Sequence, residues 1–107
     1  MSKKPPRARA ARRQADRAVA AATKTRDRIA RLEPGGSAAW PITVPSAVVI
    51  EARAAALPCA RCGGPLVVTA HDAQAAGDVR RRVVHARCNR CSAPRTVWFE
   101  VVAPVDN

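Results

Sequence analysis

The arrangement of four cysteines constrains this chain more than any other feature. Cys59-Ala60-Arg61-Cys62 and Cys88-Asn89-Arg90-Cys91 are two C-x2-C pairs separated by 25 residues. Two thiols spaced by two residues can curl around one ion, with backbone amides aimed at the sulfurs. Two such turns supply four thiolates and close a tetrahedral site, which suits zinc. The spacer is longer than the usual 15–20 residues for such patterns. Two extended segments and a polar loop account for it. The expectation is one structural Zn2+ held by Cys59, Cys62, Cys88 and Cys91. A catalytic ion is disfavoured, because four protein ligands leave no open position for water.

Other readings of the cysteines are weaker. Iron also fits a four-sulfur site. Two disulfides need an oxidising compartment, and no export signal is evident: the most apolar early stretch, Ala18 to Ala22, is short and flanked by polar residues. A cytoplasmic location follows as the expectation. A dithiol redox centre uses one pair rather than two matched ones. His71 and His85 are spare imidazoles beside four thiolates that already suffice.

The chain has 107 residues, room for one small domain and an appendage. Its only aromatic residues are Trp40, Trp98 and Phe99. A domain so small rarely stabilises itself with an apolar core alone. Structural zinc contributes about 10–16 kcal/mol of apparent binding energy to folding, so the module is expected to lose its fold without metal. No apolar run approaches the ~20 residues of a membrane span.

Four segments follow along the chain. Residues 1–6 are a basic tail with Pro5 and Pro6 and nothing apolar to pack, and are expected to be disordered. Residues 7–33 contain no Pro or Gly and are rich in Ala, Arg and Gln, so a basic helix is expected there. Pro34-Gly35-Gly36 stops it. Its residues Ala8, Ala11, Ala15, Ala18, Ala22, Thr25, Ile29 and Leu32 repeat at alternating three and four, a small-residue seam for a partner helix. Chance in an Ala-rich stretch yields the same pattern, and Ala buries little area. Residues 34–46 read as a linker interrupted by Pro41 and Pro45. Residues 47–107 form the metal-bearing domain.

Within that domain residues 47–57 are ambiguous. Val48, Val49 and Ile50 favour a strand; the alanines, with Ser46 as an N-cap, favour a helix. A short strand leading into the first cysteine pair is expected. Three extended segments follow: Leu66 to Ala70, Val79 to Arg87 and Arg95 to Val102, with a polar loop from His71 to Asp78. Trp98 and Phe99, adjacent on a strand, point to opposite faces. One packs beneath the sheet. The other either stacks on a base or is covered by residues 40–50 with Trp40 as the anchor.

With its two cysteine pairs, intervening hairpin and following strand, the segment 59–102 resembles the zinc-ribbon class. The ligands of that class map onto Cys59, Cys62, Cys88 and Cys91. Gly63 matches the glycine that commonly follows a knuckle; Ser92 departs from it in the second. The resemblance implies a small zinc-stabilised β fold, a three-stranded antiparallel ribbon, here carrying a basic N-terminal α-helix. It implies function only by association, because zinc ribbons occur in transcription factors, ribosomal proteins, polymerase subunits and nucleic-acid enzymes. The excess of Ala and Arg suggests a GC-rich bacterial genome.

Charge narrows the function further. Residues 1–33 hold 11 basic and 3 acidic side chains, a net of +8; residues 34–107 hold 8 and 5, a net of +3. Arginine suits bidentate phosphate contacts and stacking. The expectation is a non-enzymatic protein that binds nucleic acid or a nucleoprotein complex through a cationic arm. Arg7, Arg9, Arg12, Arg13, Arg17, Arg80 and Arg82 are the candidate contacts. For Arg80 and Arg82, solvated charge on an exposed strand is an equal alternative. The alternative function is a protein-interaction adaptor that uses the helix seam and the ribbon edge. No Ser-His-Asp or Cys-His constellation, small-molecule substrate or membrane association is indicated.

Overall fold

The computed structural model describes residues 7–75 and 78–102; the tail expected at 1–6 lies outside them. Helix α1 spans Ala8–Leu32, as its uninterrupted run of helix formers requires. Glu33 turns to an extended conformation, and Pro34 follows. Gly35 is buried, with φ +84°. Its N–H donates to the Trp40 carbonyl at 2.6 Å and its carbonyl accepts from the Trp98 N–H at 2.9 Å. A Cβ there would lie 2.8 Å from Ile42 Cδ1 and 2.9 Å from Val97 Cγ1. The helix stop is therefore also a clasp on the sheet that only glycine fits.

Four strands form one sheet: β1 (Ile42–Val44), β2 (Leu66–Ala75), β3 (Asp78–Cys88) and β4 (Pro94–Val101), in the order β1-β4-β3-β2. β2, β3 and β4 are antiparallel neighbours, whereas β1 runs parallel to β4 with Ile42 opposite Phe99 and Val44 opposite Val101. The three-stranded antiparallel expectation is thus corrected to a four-stranded mixed sheet. The added strand lies inside residues 34–46, read above as linker. Pro41 and Pro45 bound it so closely that no alternation is visible in the sequence. It occupies the edge of β4, whose backbone groups would otherwise be unpaired, and buries Val44.

Two further expectations give way. Residues 47–57 form no strand: Ala47–Val49 make a 3-10 turn and Ile50–Ala55 make helix α2. Ser46 caps the turn, its Oγ accepting the Val48 N–H at 3.2 Å. The cap and the alanines outweigh the β-propensity of two valines, one of which, Val48, is 88% exposed. The expected loop from His71 to Asp78 is mostly strand, since β2 continues to Ala75 and β3 starts at Asp78. A register shift at Thr69 leaves that residue without a ladder partner, and its hydroxyl donates to the His85 carbonyl at 3.1 Å.

One face of the sheet carries the main core. Val84, Val97 and Phe99 pack there against Val44 and against Ile50 and Ala54 of α2. Ile50 and Ala54 are one helical turn apart, which puts both on the buried side. Phe99 is 1% exposed; its face is covered by residues within 42–54, which overlap the expected 40–50 and extend past them into α2. Trp40 does not anchor that cover, because it is 59% exposed. Trp98 faces the other side, paired with Val83 of β3, where the C-terminal part of α1 approaches. Among the described residues no helix is long and apolar enough to cross a membrane.

Candidate metal centre

The two cysteine pairs adopt the same turn. In the first, Gly63 N–H donates to the Cys59 carbonyl at 2.9 Å and Cys59 N–H to the Gly64 carbonyl at 2.9 Å. In the second, Ser92 N–H donates to the Cys88 carbonyl at 3.0 Å and Cys88 N–H to the Ala93 carbonyl at 2.9 Å. Each turn reverses through a left-handed residue, Gly63 at φ +74° and Ser92 at φ +63°. Each also aims amides at its first sulfur: Arg61 N–H reaches Cys59 Sγ at 3.4 Å, and Arg90 and Cys91 N–H reach Cys88 Sγ at 3.3 and 3.4 Å. Gly64 N–H reaches Cys62 Sγ at 3.4 Å.

The sheet brings the turns together. Cys88 ends β3 and lies opposite Leu66, the first residue of β2, while the first turn immediately precedes that strand. All four sulfurs lie within 4.8 Å of one another. The close pairs run between the turns, Cys59 to Cys91 at 3.6 Å and Cys62 to Cys88 at 3.4 Å. Four sulfurs about 2.3 Å from one tetrahedral ion sit about 3.8 Å apart, so the cluster has the size of a four-thiolate site. The cysteines are free thiols. Cys59 and Cys88 form a second, smaller core with Leu66, Ala86 and Ala93. Gly64 leaves room for the sulfurs: a Cβ there would lie 3.1 Å from Cys88 Sγ and 3.2 Å from Cys62 Sγ.

Electrostatics divides the thiols. The Cys91 amide, then the Arg90 amide, lower the Cys88 pKa to about 6 against the opposing effect of burial. At Cys91 the Ala93 amide favours the thiolate, but burial and the neighbouring Cys62, Cys59 and Cys88 outweigh it and push the pKa up to about 11. At Cys59 burial opposes ionisation, yet the Cys62 and Arg61 amides prevail and lower the pKa. Amides arranged to favour thiolate are what a metal site requires. His71 and His85 stand outside the cluster.

The first turn is also where α1 attaches. Arg61 donates to both carboxylate oxygens of Asp27, at 3.1 and 2.9 Å, and Arg26 Nη1 donates to the Arg61 carbonyl at 2.9 Å. Thr23, Asp27 and Ala30 are the half-buried residues of α1; the helix buries none fully.

The candidate nucleic-acid contacts divide into two groups that do not meet. At about 100° per residue, Arg9, Arg13 and Arg17 share one face of α1, while Arg12 lies off it and Arg7 is the N-cap residue. Lys24, Arg28 and Arg31 fall on that same face within an arc of about 100°. The sequence reading missed these three, although their spacing of four, seven, four and three residues after Arg13 would have found them. Arg80 and Arg82 stand near the start of β3, at the opposite end of the strand from Cys88, and both are held by interactions of their own. The helix seam is open to solvent, with Ile29 52% and Leu32 76% exposed.

No family model, curated protein or solved structure matches the chain.

Proposed function

We propose that this chain is a non-enzymatic zinc-ribbon protein in which one structural zinc ion, held by Cys59, Cys62, Cys88 and Cys91, fixes a platform for a cationic helix that binds the phosphates of nucleic acid. The single observation that carries the reading is the face of α1. Arg9, Arg13, Arg17, Lys24, Arg28 and Arg31 line one side of a helix that buries none of its residues. Asp27 falls on the same face but is paired with Arg61, and Asp16 lies at its margin, so the stripe keeps a cationic excess that has a favourable place against a polyanion. Zinc is the fitting ion because four sulfurs close the coordination shell and call for no redox chemistry. The same closure disfavours a hydrolytic role.

Salt dependence of binding by the full-length, zinc-loaded protein tests this. Six phosphate contacts give a slope of log K against log salt of about −5 on duplex DNA. Replacing Arg13, Arg17 and Arg28 together by Gln should shallow that slope by about 3 and leave the metal content intact. A flat slope, or one unchanged in the triple variant, would remove the helix from nucleic-acid binding. The seam would then become the leading surface, in favour of the protein-adaptor reading.

A further inference from the structure

Beside the cationic stripe is a feature that the stripe alone does not explain. Between the C-terminal part of α1, the first cysteine turn and β4 lies a groove of about 270 Å³, at the small end of ligand clefts. Trp98 lines it, with Pro94 and Thr96 beside it on the same strand. The indole is half-buried and stands across from Val83 on β3. Its strand is pinned on the other edge, where the Trp98 N–H meets the Gly35 carbonyl. The backbone that carries the ring is thus paired on both edges of its strand.

Three guanidinium groups frame the groove: Arg31 from α1, Arg61 from the first cysteine turn and Arg95 from β4. Two of them are fixed in place. Arg61 is paired with Asp27, and Arg95 Nη1 donates to the Pro58 carbonyl. Arg31 is at once a wall of the groove and the last member of the stripe that begins at Arg9. The Asp27 carboxylate lines the groove as well and offsets Arg61, so a phosphate backbone following that stripe arrives at an aromatic ring within a frame of net positive charge.

We infer that this groove is a stacking site for a base of single-stranded nucleic acid, with Trp98 as the stacking platform and Arg31 leading the adjoining phosphates in from α1. The inference rests on the reading of α1 as the phosphate-binding element and adds the class of strand. A paired base inside a duplex has no free face to offer the indole, whereas unpaired bases stack on aromatic side chains with little dependence on sequence. Discrimination between single and double strands therefore resides in Trp98, and the general polyanion affinity resides in α1.

The test uses the full-length zinc-loaded protein with Trp40→Phe, which leaves Trp98 as the only tryptophan. Its emission is followed during titration with short oligo(dT), oligo(rU), a blunt DNA duplex and heparin, a polyanion without bases. Both single strands should quench Trp98, and the duplex and heparin should bind without quenching. Trp98→Leu should weaken single-strand binding about 5- to 150-fold and change duplex binding less than about twofold; Trp98→Phe should restore most of the loss. If Trp98→Leu fails to fold, by metal content or circular dichroism, the quenching pattern and Trp98→Phe decide the matter. Binding of all four ligands without quenching would overturn the stacking site and leave the role of α1 standing. Absence of binding to any of them would overturn both. Quenching by only one of the two single strands would restrict the site to DNA or to RNA.

Discussion

Gly63 and Ser92 hold the same place in two copies of one turn. Each donates its N–H to the carbonyl of the first cysteine of its pair, and each has a positive φ, +74° and +63°. Only one of them is glycine. A side chain in the left-handed region costs roughly 1–2 kcal/mol, partly offset in Ser92 by the lower chain entropy lost on ordering a residue other than glycine.

Opposite effects at the two positions follow. Gly63→Ala should lower stability by about 1 kcal/mol; a Cβ at Gly63 meets nothing within 4 Å, so backbone strain is the whole cost. Ser92→Gly should raise stability by up to about 1 kcal/mol. Denaturant midpoints of the two metal-loaded variants check this, and shifts of the same sign would contradict it.

Removing the metal should unfold the sheet. Cys59 and Cys88 belong to a small core as well as to the cysteine cluster, and among the described residues the main core has six buried side chains. A strong chelator should abolish the β signal in circular dichroism, and one equivalent of zinc should restore it. A chelated chain with an intact sheet signal would mean that the six-residue core suffices alone.

Metal uptake should release protons. A thiol ligates as thiolate. At pH 7 Cys88, with its pKa near 6, is already ionised, whereas Cys91, raised to about 11, still holds its proton. At least one proton should therefore appear per ion bound, and affinity should fall as pH is lowered through the neutral range. An indicator dye in weak buffer measures the release, and its absence would refute the division of thiols.

The Asp27–Arg61 pair should fasten α1 in a pH-dependent way. The hydrogen bonds from Arg61 hold the Asp27 carboxyl below its ordinary range, against slight burial. A depressed folded pKa adds stability that is present above the unfolded value, ~3.9, and lost as pH falls through the folded value. Both partners are more than a third exposed, so the contribution is about 0.2–1 kcal/mol. Asp27→Asn should raise amide exchange in residues 23–30 near pH 6. That difference from the parent should shrink towards pH 3. A difference independent of pH would show that the carboxylate charge is not what holds the helix.

His71 should tolerate an apolar replacement. Its Nδ1 lies 3.3 Å from Glu51 Oε1, while its buried Nε2 has no hydrogen-bond partner among the described residues. Glu51 is largely exposed. His71→Phe removes a weak contact and an unsatisfied polar atom together, so the change in stability should stay under about 1 kcal/mol. Chemical denaturation measures it, and a loss of several kcal/mol would mean that Nε2 has a structural partner.

The four cysteine positions that gather into one cluster were legible from spacing because a C-x2-C turn is a local object. The amides that serve each sulfur come from the next two or three residues. The helix over 8–32 was legible for a similar reason, since a proline- and glycine-free run of good helix formers needs no partner to declare itself, and Pro34 ends it. Charge placement along α1 was also present in the sequence, although only the helical periodicity, applied past Arg17, gathers Lys24, Arg28 and Arg31 with the rest.

What the tertiary structure decided is non-local. Three residues between Pro41 and Pro45 carry no pattern of their own, and Ile42–Val44 became a strand only because β4 offered an unpaired edge. Ile50 and Ala54 became a helical face because Phe99, Val84 and Val97 needed covering, although Val48-Val49-Ile50 taken alone favours extension. Trp98 acquired a groove because Gly35, just past the helix, clasps β4 through the Trp98 N–H and Asp27 meets Arg61, 34 residues further along, which together hold the end of α1 beside β4. Side-chain pattern sets local geometry; pairing of distant edges and burial of distant faces select which local preference survives.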